Sequence, residues 1–121
     1  MKAYRLYTTT DGASAFQKGQ IKDLQKIESD YFFFQQDPSD RRSYEWHPAP
    51  REQFVITLKG TIEFTVTDGS SFVIEPGDVL IAKDVESSGH KWKMLSEQSW
   101  TRVYIALNEG EDDGFEADRT V

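Results

Sequence analysis

From residue 53 onward the chain alternates. Phe54, Ile56 and Leu58 interleave with Gln53, Val55 and Thr57, Lys59-Gly60 turns, and Ile62, Phe64 and Val66 interleave with Thr61, Glu63 and Thr65. A period of two marks strands with one face in a core, and here it predicts a half-buried antiparallel pair. Thr67-Asp68-Gly69-Ser70 is a second turn, followed by Phe72-Val73-Ile74, a turn at Pro76-Gly77, and Val79-Leu80-Ile81. After a loop from Asp84 to Gly89, His90, Trp92 and Met94 share one face while Lys91 and Lys93 share the other, which aims His90 inward with the apolar set. A last strand, Thr101 to Leu107, alternates Val103, Ile105 and Leu107 with Arg102 and Tyr104. Short strands between closely spaced turns, with no amphipathic helix, have the rhythm of an all-β sandwich or barrel.

Upstream the pattern is less regular. Lys2 to Thr8 reads as a strand ending at Thr10-Asp11-Gly12, and its tyrosines, expected to be exposed, make it a candidate for pairing with another subunit. Phe16 to Ile27 fits neither the strand nor the helix period, with Gly19 interrupting, and predicts loop with a short strand or turn. Tyr31-Phe32-Phe33-Phe34 carries rings on both faces, so one side is core and the other a pocket wall or an interface. Together the two aromatic stretches predict a homodimer. Asn108 to Val121 holds six acids, one Arg and one Phe, which predicts a disordered acidic tail behind a single domain at 1–107.

The chain has 121 residues, a formal net charge of -7, no cysteine and two histidines. That length suits one core. An acidic chain lacks the clustered Lys and Arg from which nucleic-acid affinity derives, so nucleic acid is excluded as a partner. Without cysteine there is no disulfide, thiolate metal site or thiol nucleophile, and any metal must be held by nitrogen and oxygen. The charged first residues do not form a signal peptide and no run approaches the roughly 18 apolar residues of a membrane span, so the expectation is a soluble cytoplasmic protein with no membrane partner.

His47 and His90 are the candidate chemistry, because antiparallel strands bring the two imidazoles together and strand parity aims His90 inward. Glu45, two residues before His47 on an extended segment, shares its face and is either a carboxylate ligand or general base, or a solvated residue at the mouth. Arg51 is either a clamp for an acidic ligand or half of a surface salt bridge. Trp46, Tyr44, Trp92 and the Phe32 to Phe34 run are core or the lining of a small-molecule pocket. No phosphate-binding glycine loop, serine nucleophile elbow or His-Glu-x-x-His helix is present.

The stretch from Tyr44 to Leu107 resembles the cupin superfamily. In the first cupin motif Gly60 fits the final glycine, Gln53 falls where the glutamate stands and His47 on the first histidine, while Ala49 replaces the second histidine and Arg41 the opening glycine. In the second motif Gly77 fits, Lys83 and Val85 replace the proline and glycine, His90 comes two residues late and Met94 replaces the asparagine. The Trp46-His47-Pro48-Ala49-Pro50 segment is similar to that of a subgroup of small single-domain bacterial cupins. The resemblance implies an all-β, cupin-type double-stranded β-helix, a jelly-roll barrel. Metal-dependent cupins hold iron, manganese, nickel or zinc with three histidines and a glutamate, so the implied cofactor is none, or one weakly bound divalent metal at His47, His90 and Gln53. Three functions follow as expectations. One is a small-molecule-binding pocket, with His47 and His90 as base and acid of an isomerase or epimerase. The others are a metal-dependent oxygenase or hydrolase-like cupin with a reduced ligand set, and a non-catalytic ligand sensor or interaction module.

Overall fold

The computed structural model describes residues 1–41, 43 and 45–119, and the chain there is all-β. The strands are β1 (Lys2–Thr8), β2 (Ser14–Ile21), β3 (Phe32–Asp37), β4 (Gln53–Lys59), β5 (Ile62–Thr65), β6 (Ser71–Ile74), β7 (Val79–Lys83), β8 (Lys91–Met94), β9 (Trp100–Ala106) and β10 (Phe115–Ala117). Seven form a sheet in the order β10-β2-β1-β7-β4-β9-β3, and three form a second sheet, β6-β5-β8. Only β1 and β7 pair in parallel. Leu6, Val55, Ile62, Phe64, Ile74 and Leu80 from the two sheets meet in a buried core, making a β-sandwich. No helix among the described residues is long and apolar enough to cross a membrane.

The alternation at residues 53–66 is present, but its two strands do not pair with each other. β4 lies between β7 and β9, and β5 lies between β6 and β8, so the turn after Lys59 carries the chain from one sheet to the other. A register shift between Thr57 and Lys59 bends the end of β4 toward this crossing. The large sheet is also buried on both faces. Val55 and Leu80 face the second sheet, whereas Phe54, Val79 and Ile81 join Ala3, Ile21 and Leu107 in a separate cluster on the outer face.

Three expectations need correction. β1 is interior, flanked by β2 and β7, and its Tyr4 is buried and stacked on Phe72 at 4.6 Å, so neither an exposed tyrosine there nor a free edge exists for another subunit. Residues 14–21 are a full strand, since β2 pairs along the whole of β1.

The acidic C-terminal segment docks rather than trailing in solvent, through β10 on β2. Gly19 permits this, because a side chain there would run into the Glu116 carbonyl and approach the Phe115 ring to 2.8 Å. Phe115 packs on the outer cluster with the Arg5 guanidinium 4.5 Å above its ring. Asp113, 5% exposed, accepts from Lys83 Nζ at 2.9 Å and from the Phe115 N–H at 2.9 Å, with Arg5 at 3.4 Å. Six acids do repel one another, but one held by two cations and one ring over a glycine suffice to order the segment.

Candidate functional site

Between the sheets lies a cavity of about 590 Å³ whose lining includes His47, His90, Gln53 and Arg51. Its walls carry the rings of Phe33, Tyr104, Phe64, Trp92 and Trp100. The inward faces of β4 and β9 supply polar groups, because Gln53 alternates with Phe54, and Arg102 and Tyr104 with Val103 and Ile105.

His47 and His90 are directly opposed. The His47 N–H donates to the His90 carbonyl at 3.2 Å, the His90 N–H returns the bond at 3.0 Å, and the rings lie 5.1 Å apart. The close approach depends on Gly89, which has φ +106°, and a Cβ there would lie within 2.8 Å of the His47 Cα. His47 is exposed at the mouth, while His90 is 6% exposed with its ring 5.9 Å from Phe64.

His90 Nδ1 lies 2.6 Å from the Oδ2 of Asp84, a residue wholly removed from solvent. Ser14 donates to the same oxygen at 2.8 Å and Ser87 at 3.4 Å. Burial pushes the Asp84 carboxyl up, but the His90 hydrogen bond and charge, with Ser14, outweigh it and hold the group below the usual range. An ionised carboxylate only accepts, so Nδ1 of His90 is the donor and Nε2 is left to meet a ligand. Among the described residues Asp84 Oδ1 has no protein partner.

Arg51 Nη1 donates to Gln53 Oε1 at 2.7 Å and its guanidinium lies 5.4 Å from the centre of the Phe33 ring. Arg102, 2% exposed, is fully engaged: it pairs with Asp37 at 2.7 Å, donates to Tyr104 at 3.0 Å and stacks on Trp100 at 3.7 Å. Among the described residues the cavity is thus lined by Arg41, Arg51 and Arg102 against one acid, Asp37, in a chain whose net charge is -7.

Of the residues singled out from sequence, His47, His90, Gln53, Arg51 and Trp92 line this cavity. Glu45 is exposed and outside its lining, as a solvated residue would be. Trp46, 44% exposed, lines instead a shallower groove of about 310 Å³ on the other side of Trp92, with Lys91 4.8 Å over its ring. Tyr44 lies outside the described residues. Sequence alone does not mark Asp84, Ser14, Arg102 and Tyr104, since nothing local to each of them shows which distant side chain it will meet.

A divalent metal fits this donor set poorly. His47 and His90 offer one nitrogen each, the Gln53 oxygen is occupied by a cation, and the described residues hold no group of three His, Cys, Asp or Glu able to bind a metal. Without an anionic ligand nothing offsets the cost of desolvating the ion, and Arg51 opposes it.

No protein-family model matches the chain, and no curated protein does. Among solved structures the chain is similar to protein NMB1881 from Neisseria meningitidis, with 22% identity over 73% of this chain and 89% of that one and a TM-score of 0.49. The site is therefore read from its own residues.

Proposed function

We propose that this chain is a cupin-type small-molecule-binding protein whose cavity performs proton transfer of the isomerase or epimerase kind, with no metal. The observation that carries the reading is the row Asp84, His90, His47: a buried carboxylate fixes one imidazole, and that imidazole faces a second across 5.1 Å at a cavity wall. His90 Nε2 accepts a proton from a carbon beside a carbonyl. The C–H electron pair moves to form an enol double bond, the carbonyl oxygen takes a proton from protonated His47, and reversal at the other carbon or face completes the isomerisation. Asp84 stabilises the imidazolium formed at His90.

Small keto acids incubated with the protein in deuterated water should exchange the proton next to the carbonyl, followed by NMR. His90→Gln should slow that exchange by about a hundredfold, the usual contribution of a positioned base. Ligand binding without any exchange would replace the enzyme by a sensor. Equimolar zinc or iron(II) should leave the melting temperature unchanged, and stoichiometric metal in protein purified without chelator would remove the metal-free part of the proposal.

We also propose that a second copy covers the edge strand β3. Phe32 and Phe34 are 63% and 67% exposed on the last strand of the large sheet, with Tyr31, 49% exposed, just before it, while Phe33 turns inward onto Tyr104 at 4.9 Å. An open edge carrying three exposed rings is a ready surface for self-pairing. Light scattering should give a dimer that Phe32→Lys with Phe34→Lys converts to the 13.9 kDa monomer, and a wild-type monomer at micromolar concentration would end this part.

A further inference from the structure

In a cupin metal site the position of Gln53 would contribute an oxygen. Here that oxygen accepts from Arg51 at 2.7 Å, and because a guanidinium can only donate, the orientation of the amide is fixed by chemistry. The Gln53 NH2 is then the free end, and among the described residues neither it nor the rest of the Arg51 fork has a protein acceptor, nor has Arg51 an acid. Gln53 is 4% exposed and lines the cavity. The other buried cation, Arg102, is already neutralised by Asp37. One corner of the cavity therefore presents only N–H donors and one uncompensated positive charge.

We infer that Arg51 and Gln53 form a carboxylate-binding corner, and that the ligand is a small carboxylate with a flat apolar body held against Phe33 and Tyr104. The inference rests on the proposed small-molecule pocket and names the class it takes. One carboxylate oxygen meets the free guanidinium N–H groups and the other meets the Gln53 amide, a two-point arrangement that a point charge on lysine does not reproduce. The stacked Phe33 and Tyr104 rings, 4.9 Å apart, continue the wall beyond this corner.

The test compares benzoate, phenylacetate and phenylpyruvate with benzamide and phenylacetamide, matched probes that lack the charge. Binding is read from the ring signals of His47 and His90 by NMR, together with the fluorescence of Trp92 and Trp100. Acids should bind about tenfold to a hundredfold tighter than their amides, the worth of a charge-assisted contact. Arg51→Met should abolish that preference and Arg51→Lys keep part of it. Amides and acids binding equally well would overturn the carboxylate corner and leave the pocket standing. No probe shifting either histidine at millimolar concentration would overturn the pocket reading, and this inference with it. The wild-type comparison of acid with amide decides the matter even if an Arg51 variant fails to fold.

Discussion

Lys83 ends β7 and Asp84 follows it, and each belongs to a site built on a buried aspartate, on opposite faces of the large sheet. On the outer face Lys83 and Arg5 grip Asp113. On the inner face Asp84 is itself the buried acid, and its partners are His90, Ser14 and Ser87. Burial pushes both carboxyls up, and in both the donors more than offset it, so each lies below the ordinary range. The difference is in the partners. Asp113 is held by side chains whose charge does not change near neutrality, which suits a clamp that ties the C-terminal segment to β1 and β7. Asp84 is held by two hydroxyls and an imidazole, the one side chain that gains and loses a proton under mild conditions. A clamp needs constant charges, whereas a support for proton transfer needs a partner whose charge can change.

Removing residues 109–121 tests the outer half of this contrast and should have the largest effect. It uncovers the outer cluster by the area of Phe115, worth about 1.5 to 3 kcal/mol, and leaves Lys83 and Arg5 without Asp113. The melting temperature should fall by about 10 °C, while the His47 and His90 ring signals keep their positions. A fall of less than about 2 °C, within the effect of an ordinary surface change, would mean that the clamp is ornamental.

Exchanging each aspartate for asparagine sharpens the contrast. Asp113→Asn should cost about 2 kcal/mol and leave deuterium exchange alone, because two partly exposed cations lose their acid and nothing in the cavity moves. Asp84→Asn should cost a similar amount, but it should also slow exchange by about tenfold or more and shift the proton between the His90 nitrogens, visible in the nitrogen chemical shifts. Equal exchange rates in the two variants would erase the distinction between clamp and positioning residue.

Acid should weaken both halves together. A carboxyl depressed in the folded state contributes stability above its unfolded value of about 3.9 and loses it as pH falls through the folded value. The urea midpoint should therefore be steady from pH 7 to about 5 and drop below about 4, with a shallower drop in Asp113→Asn. An Asp113→Asn curve parallel to that of the wild type would remove Asp113 from the account.

The two faces also differ in how far sequence exposes them. Alternation located the strands from residue 53 onward, because turns at Gly69 and Gly77 interrupt it, and it put His90, Trp92 and Met94 on one side. It could not say which strands pair: β4 and β5 alternate like a hairpin yet belong to different sheets. The apolar set on β4, Phe54 and Ile56, suggested the core face, but the cavity lies on the other side, with Gln53 and Val55. A sheet covered on both sides offers two apolar faces, and the less apolar one lines the cavity. His47 and His90 were legible as the only imidazoles in the chain. Asp84 was not, because its meaning comes from a loop closing over six residues and from Ser14 arriving from β2. The C-terminal segment was misjudged for a similar reason, since composition averages over 14 positions hide the two residues, Asp113 and Phe115, that dock it.

The smallest expected effect belongs to Ser14→Ala, which asks whether the hold on Asp84 resides in the imidazole or is shared among its donors. Ser14 is 1% exposed, its hydroxyl donates to Asp84 Oδ2 at 2.8 Å, and its N–H donates to Thr67 Oγ1 at 2.8 Å. Thr67 in turn donates to the Gly89 carbonyl at 3.0 Å, so Ser14 steadies both the acid and the loop that carries His90. The substitution leaves the N–H bond in place and removes only the hydroxyl, a loss of about 1 kcal/mol because His90 and Ser87 still donate to the same oxygen. His90 should keep its proton on Nδ1, and deuterium exchange should fall by no more than about threefold. If Ser14→Ala instead releases that proton as fully as Asp84→Asn does, the carboxylate is oriented by the serine and the pairing with His90 is its consequence.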